Sequence, residues 1–196
     1  MKISKLDLEP TAIDFLTSEG FEKLYEPQAY SVDAGILDGK SVLVSAPTAS
    51  GKTLIAMLGM LAHLPKNKSK IVYLSPLRAL AAEKFTEFKK LEKINLGRKI
   101  KVGISTGDFD SVEDKLENSD ILVLTNEKMD ALMRFGQSWI SEIGLVIVDE
   151  IHLIGDEGRG PTLEMVLTRL KSGLIGKIPQ IIALSATITN SDELAE

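Results

Sequence analysis

Six short runs of consecutive apolar residues recur along the chain: Ser41–Ser45, Ile71–Ser75, Lys101–Ser105, Ile121–Thr125, Leu145–Asp149 and Gln180–Leu184. Most are apolar throughout rather than alternating, the pattern of strands covered on both faces. Helical patterns fill the intervals near Gly51–His63, Leu77–Lys93, Glu127–Phe135 and Thr162–Lys171. This alternation predicts an α/β fold, a mostly parallel sheet with helices on both faces. Such sheets bind ligands at the carboxyl ends of their strands, so chemistry is expected just after each run.

Two short helices are predicted ahead of the first strand, one beginning at Pro10 and one beginning at Pro27 and stopping at Gly39. Residues 1–40 are read as part of the same domain as residues 41–196. A chain of 196 residues suits one well-packed domain and is too short for two large ones.

Composition narrows the chemistry. There is no cysteine, which excludes disulfides and thiolate metal sites, and two histidines, His63 and His152, cannot build a zinc site alone. A net charge of −5 argues against a simple basic nucleic-acid binder, but not against a protein that grips phosphates with backbone N–H groups. Residues 1–20 lack the form of a secretory leader, and the longest apolar stretch, Leu54–Leu64, is too short to span a bilayer. The expectation is a soluble, intracellular (cytoplasmic) protein with no membrane partner. The cluster Lys66–Lys70 reads as a solvated turn.

The sharpest chemical signal is Ala46-Pro47-Thr48-Ala49-Ser50-Gly51-Lys52-Thr53, placed directly after the first strand. A loop wrapping a triphosphate needs small residues so that its N–H groups point inward. Gly51 lets the backbone approach closely, Lys52 supplies charge for the β and γ phosphates, and Thr53 offers a hydroxyl to Mg²⁺. Ala46 stands where the general pattern has Gly. A second signal is Asp149-Glu150-Ile151-His152, again after an apolar run. There Asp149 is suited to hold the Mg²⁺ shell and Glu150 to orient an attacking water. A third is Ser185-Ala186-Thr187, two hydroxyls able to report a γ-phosphate.

Taken in order, these residues resemble superfamily 2 helicases of the Ski-like, DExH-box branch, over nearly the whole chain. Tyr25-Glu26-Pro27-Gln28 is similar to the Q motif, where the resemblance implies that Gln28 reads adenine. Ser75-Pro76-Leu77-Arg78-Ala79-Leu80 and Thr125-Asn126-Glu127-Lys128 are similar to motifs Ia and Ib, although Asn126 stands where many relatives have Ser. Pro76, Arg78, Thr125 and Asn126 would then hold the backbone of a nucleic-acid strand. His152 would link the ATP site to Ser185 and Thr187. Thr106-Gly107-Asp108-Phe109-Asp110, Phe135–Trp139 and Gly158–Glu164 most resemble the archaeal fork-repair DNA helicases, relatives of the helicase part of DNA polymerase theta.

The resemblance implies a RecA-like first motor domain with ATP and Mg²⁺ as cofactors and single-stranded or forked DNA as partner. A second RecA-like domain with an arginine-rich motif would lie beyond Glu196. RNA remains open as the substrate, because nothing here reads a 2′-hydroxyl. A non-translocating ATP-binding switch is the reading from another class. Asn126-Glu127-Lys128-Met129-Asp130 has the wrong spacing for a guanine signature, so ATP is favoured over GTP. Arg78 reads equally as a strand contact or a solvated helix residue, Arg159 as a surface charge, and Trp139 as packing.

Overall fold

The computed structural model describes residues 1–47, 50–65, 69–107, 116–173 and 176–186. Its strands are β1 (Val42–Ser45), β2 (Lys70–Ser75), β3 (Val102–Ser105), β4 (Ile121–Thr125), β5 (Ile143–Val148) and β6 (Gln180–Ser185). The helices are α1 (Pro10–Ser18), α2 (Glu26–Asp33), α3 (Lys52–His63), α4 (Arg78–Phe88), α5 (Asn126–Arg134) and α6 (Gly160–Lys171). The six strands form one sheet in the order β1-β6-β5-β2-β4-β3, and every pairing is parallel.

Side chains alternate across a strand, and this sorts the apolar runs onto two faces. Ile71, Tyr73, Ile121, Val123, Leu145, Ile147, Ile182 and Leu184 join one core with α3, α4 and the N-terminal segment, including Ile3, Leu16 and Ile36. Val72, Leu74, Leu122, Leu124, Val146, Val148 and Ala183 join the other with α5, α6 and Trp139. All residues of β2 and β4 are buried, as continuous apolar runs predict. β1 and β3 lie at the edges and are only partly covered.

Helix α3 is buried from Leu54 through Ala62. Its apolar side chains each contribute about 1.5–3 kcal/mol when fully buried, so this helix anchors the end of the loop that precedes it. It packs closely on the sheet at Gly59, where a Cβ would come within 2.3 Å of Ile182 Cδ1.

The structure shifts several element boundaries. The segment beginning near Pro27 is an α-helix only to Asp33; Gly35 (φ 97°) turns the chain into a 3-10 turn, Ile36–Asp38, and Gly39 (φ 82°) ends it. The helix after β2 ends at Phe88 and tightens into a 3-10 segment, Lys89–Lys93. Lys70 does not belong to a solvated turn: it opens β2, and its ammonium donates to the Glu117 and Ser119 carbonyls. Burial pushes its pKa down, against the attraction of nearby carboxylates. Lys66, Asn67 and Lys68 lie outside the described residues.

Candidate nucleotide site and strand groove

Strands β1, β6, β5 and β2 end side by side, and their carboxyl ends carry the candidate chemistry. The Ala46 N–H donates to the Ser185 carbonyl at 3.2 Å, extending the β1–β6 ladder into the loop. The loop re-enters at Gly51, whose φ of 83° is left-handed and whose missing Cβ matters sterically. A Cβ there would lie 2.1 Å from Gln28 Nε2. Lys52 starts α3, and its Nζ donates to the Ala46 carbonyl at 3.1 Å, closing the loop on itself. Thr48 and Ala49 lie outside the described residues.

Gln28 sits beneath this loop, 2% exposed. Its Oε1 accepts from the Tyr25 N–H at 2.8 Å, and its Nε2 donates to the Ser50 and Gly51 carbonyls at 3.4 and 3.3 Å. Both ends of the amide are thus engaged within the chain, and Gln28 acts as a brace for the loop. An adenine contact would have to share or replace those bonds.

Strand β5 delivers Asp149 into a nearly dry position, its N–H donating to the Leu74 carbonyl at 2.9 Å. The Tyr73 hydroxyl donates to Asp149 Oδ2 at 2.7 Å and the Glu150 N–H to Oδ1 at 3.1 Å, fixing the carboxylate plane. Burial raises the Asp149 pKa above the ordinary carboxylate range; Tyr73's hydrogen bond opposes this, Glu150's charge adds to it and Lys84's ammonium opposes it. Burial, then the charge of Asp149, drives the Tyr73 phenol well above its usual value. It therefore stays a donor at all working pH.

Among the described residues, Glu150 is the one non-glycine with positive φ, at 51°. A left-handed conformation costs an ordinary residue about 1–2 kcal/mol, and such strain concentrates at functional sites. Here it turns the chain sharply at the strand end and sends the Glu150 carboxylate toward His152, whose Nδ1 lies 3.3 Å from Oε2. The same ring nitrogen is 3.2 Å from Ser185 Oγ. Glu150, His152 and Ser185 thus form one polar row across the ends of β5 and β6. Thr187 lies outside the described residues.

A separate cleft of about 600 Å³ opens beside β2 and β4, lined by Pro76, Leu77, Arg78, Ala79, Thr106, Gly107, Thr125, Glu127, Lys128 and Arg159. It gathers Pro76, Arg78 and Thr125 as the motif reading expects, and adds Arg159 and Lys128. Asn126 does not line it: it is buried as the first residue of α5, with Oδ1 lacking a hydrogen-bond partner. Trp139 is 2% exposed and packs beneath the sheet, which removes base stacking from consideration. Asp108, Phe109 and Asp110 lie outside the described residues.

Sequence reading missed two site residues. Tyr73 is the single aromatic in a fully buried strand, a visible signal, because a buried phenol needs a partner. Lys84 had no signal; on α4 it looks like any helical lysine. In the structure its Nζ donates to Thr53 Oγ1 at 2.8 Å and lies 3.0 and 3.5 Å from the Glu87 and Glu83 carboxylates.

These donors fit Mg²⁺ and a triphosphate. Mg²⁺ is typically held by one or two protein oxygens plus substrate phosphates, which matches a Thr53 hydroxyl and one ordered Asp149 carboxylate. Ser50 Oγ is buried in the loop without a hydrogen-bond partner among the described residues, a polar atom suited to a ligand. Helix α3, beginning at the loop, adds its N-terminal dipole.

The DEAD/DEAH box helicase family profile matches residues 25–194. The chain is 46% identical over 196 residues to the ATP-dependent DNA helicase Hel308 of Pyrococcus abyssi, covering all of this chain and 26% of that protein. It is 47% identical over 197 residues to Hel308 of Methanocella arvoryzae, again covering all of this chain and 26% of the relative. The chain therefore spans about a quarter of the length of these relatives. The DUF1998 helicase MrfA aligns with a TM-score of 0.83 at 26% identity, covering 97% of this chain and 31% of that one. MrfA bound to DNA and AMPPNP aligns with a TM-score of 0.81.

Proposed function

The chain belongs to the DEAD/DEAH box helicase family, and from that premise we propose that it is the ATP-binding first RecA-like motor domain of an ATP-dependent DNA helicase. The substrate is forked or single-strand-containing DNA, in replication or repair. The observation that carries this is the convergence of Lys52, Thr53, Asp149 and Glu150 at the carboxyl ends of β1 and β5, with Asp149 fixed by Tyr73.

In this reading residues 46–53 wrap the phosphates of ATP, and Lys52 leaves the Ala46 carbonyl for the β and γ phosphates. Gln28 braces the loop and faces the adenine side. Thr53 and Asp149 would hold Mg²⁺, which would supply charge neutralisation on the phosphate oxygens. Glu150 orients and polarises water, its position set by the left-handed turn. His152 passes the state of Glu150 to Ser185 and onward to Thr187, through the short contacts among the first three. Residues 1–40 share the core of residues 41–196 and work as one domain with them. A second RecA-like domain of the same protein completes the site with arginine donors, a contribution worth about 10³–10⁵ in rate in such enzymes. The 196 residues alone then bind ATP and turn it over negligibly. The protein works inside the cell, against nucleic acid.

The strand occupies the cleft of Arg78 and Thr125, held through phosphates with little base readout. Arg159 and Lys128 supply further positive charge, and Pro76 shapes the floor. Asn126 supports that contact from within, as the buried start of α5. DNA is preferred over RNA because the relatives are named DNA helicases and MrfA was solved with DNA.

Fluorescence anisotropy on labelled single strands tests this. With about three phosphates neutralised by Arg78, Lys128 and Arg159, log affinity falls with log salt at a slope of about −2.1, at about −0.7 per phosphate. Arg78→Ala and Arg159→Ala each flatten that slope by about 0.7. Binding indifferent to both substitutions would move the strand elsewhere, and tighter binding of RNA would make RNA the substrate.

A further inference from the structure

Helix α4 begins in the strand cleft at Arg78 and, six residues or about 9 Å further along its axis, presents Lys84 to the loop residue Thr53. The Lys84 side chain is only 12% exposed, an unusual position for a lysine, and its ammonium is met by three oxygen groups, those of Thr53, Glu87 and Glu83. Its ammonium donates to Thr53 Oγ1 at 2.8 Å and acts electrostatically on Asp149. Those are the two oxygen groups that fit a divalent cation. Glu87 and Glu83, one turn or less away on the same helix, hold the ammonium from the other side at 3.0 and 3.5 Å.

We propose that Lys84 is a positioning residue of the metal–nucleotide site: a tethered cation, shared between the Thr53 hydroxyl and the Glu87 and Glu83 carboxylates, that must give up Thr53 and keep the glutamates for Mg²⁺ to bind. The inference rests on the nucleotide reading of the loop. Its physics is exclusion. A Mg²⁺–oxygen bond is about 2.0–2.1 Å, so an ammonium still at hydrogen-bond distance from Thr53 Oγ1 would stand on the order of 4 Å from a doubly charged ion. At that separation like charges near a protein surface repel strongly. Lys84 bonds Thr53 and the glutamates together, and a metal on Thr53 would leave it the glutamates alone.

The test is a Mg²⁺ titration of fluorescent ATP-analogue binding to the 196-residue chain, with melting curves on every variant. Removing the competitor in Lys84→Met lowers the Mg²⁺ concentration at half-saturation, by on the order of tenfold, the usual size of coupling between two ligands at one site. Lys84→Arg keeps the charge and the parental midpoint. Glu87→Gln removes the carboxylate that would retain the ammonium once Thr53 is given up and raises the midpoint, which tests the idea even if Lys84→Met fails to fold. A simple brace between α4 and α3 would change the melting temperature and leave the Mg²⁺ midpoint of all three variants unmoved, and that result overturns the proposal. Failure of the parent to bind nucleotide at all would remove the loop reading first, and this inference with it.

Discussion

Replacing Gly51 by alanine perturbs the loop at its tightest point, and the cost follows from the local geometry. Alanine at φ 83° pays a left-handed penalty of about 1 kcal/mol. Its Cβ would lie 2.1 Å from Gln28 Nε2, so the amide must swing away and surrender its bonds to the Ser50 and Gly51 carbonyls. Those bonds are long, 3.4 and 3.3 Å, and each contributes about 0.5 kcal/mol at the low end of the usual range. The sum is about 2 kcal/mol, a fall in Tm of roughly 4–8 °C for a chain of this size. A double-mutant cycle separates the parts. Gln28→Ala opens space for the new methyl, so Gly51→Ala in that background costs only the backbone part, about 1 kcal/mol. Urea unfolding followed by circular dichroism reads both numbers. Strict additivity of the two substitutions, or a Gly51→Ala chain as stable as the parent, would show that Gln28 does not brace the loop.

Other consequences are equally direct. Tyr73→Phe removes a hydrogen bond to a buried carboxylate and costs about 1.5–3 kcal/mol in urea unfolding at pH 7; a neutral result would mean that Asp149 finds another donor. Glu150→Gln in the intact protein leaves ATP binding in place and slows turnover by about two or more powers of ten, measured by steady-state phosphate release. At Glu92, burial resists ionisation, but hydrogen bonds from Lys89 and the Val102 N–H outweigh it and hold the pKa below the usual carboxylate range. A depressed folded pKa stabilises the fold above the unfolded value and stops doing so as pH falls through the folded value. Glu92→Gln therefore lowers Tm at neutral pH, and the gap closes below pH of about 4. A gap that widened in acid would reverse the sign of that linkage.

The parallel sheet was legible because continuous apolar runs with helical intervals admit few other arrangements. The loop from Ala46 to Thr53 and the acids Asp149 and Glu150 stood out as candidates because phosphate and metal chemistry restricts residue type and spacing, and the parallel sheet sets both at strand carboxyl ends. What stayed hidden depends on contacts between distant segments. Lys84 meets Thr53 across 31 positions and Tyr73 meets Asp149 across 76, and no local pattern announces either. Arg159 looked like a surface charge because its partners in the cleft, Arg78 and Thr125, come from other strand ends. Lys70 misled for the opposite reason. A lysine-rich segment suggests solvent, but the chain enters the sheet at Lys70, where main-chain carbonyls from the segment before β4 receive its ammonium. Asn126 was assigned a strand contact by its place in the motif, whereas the start of α5 turns its side chain into the protein.

The account depends above all on the loop being a nucleotide cradle closed by Lys52. Calorimetric titration of Mg²⁺·ATP and Mg²⁺·GTP into the parent chain and into Lys52→Ala addresses this most directly. Lys52 starts a helix whose buried residues begin at Leu54, and among the described residues its Nζ bonds the Ala46 carbonyl alone, so alanine there should leave the melting curve close to the parent's. The predicted result is ATP binding by the parent, weaker GTP binding, and loss of most ATP affinity in a folded Lys52→Ala chain. Undiminished ATP binding by folded Lys52→Ala would contradict the cradle.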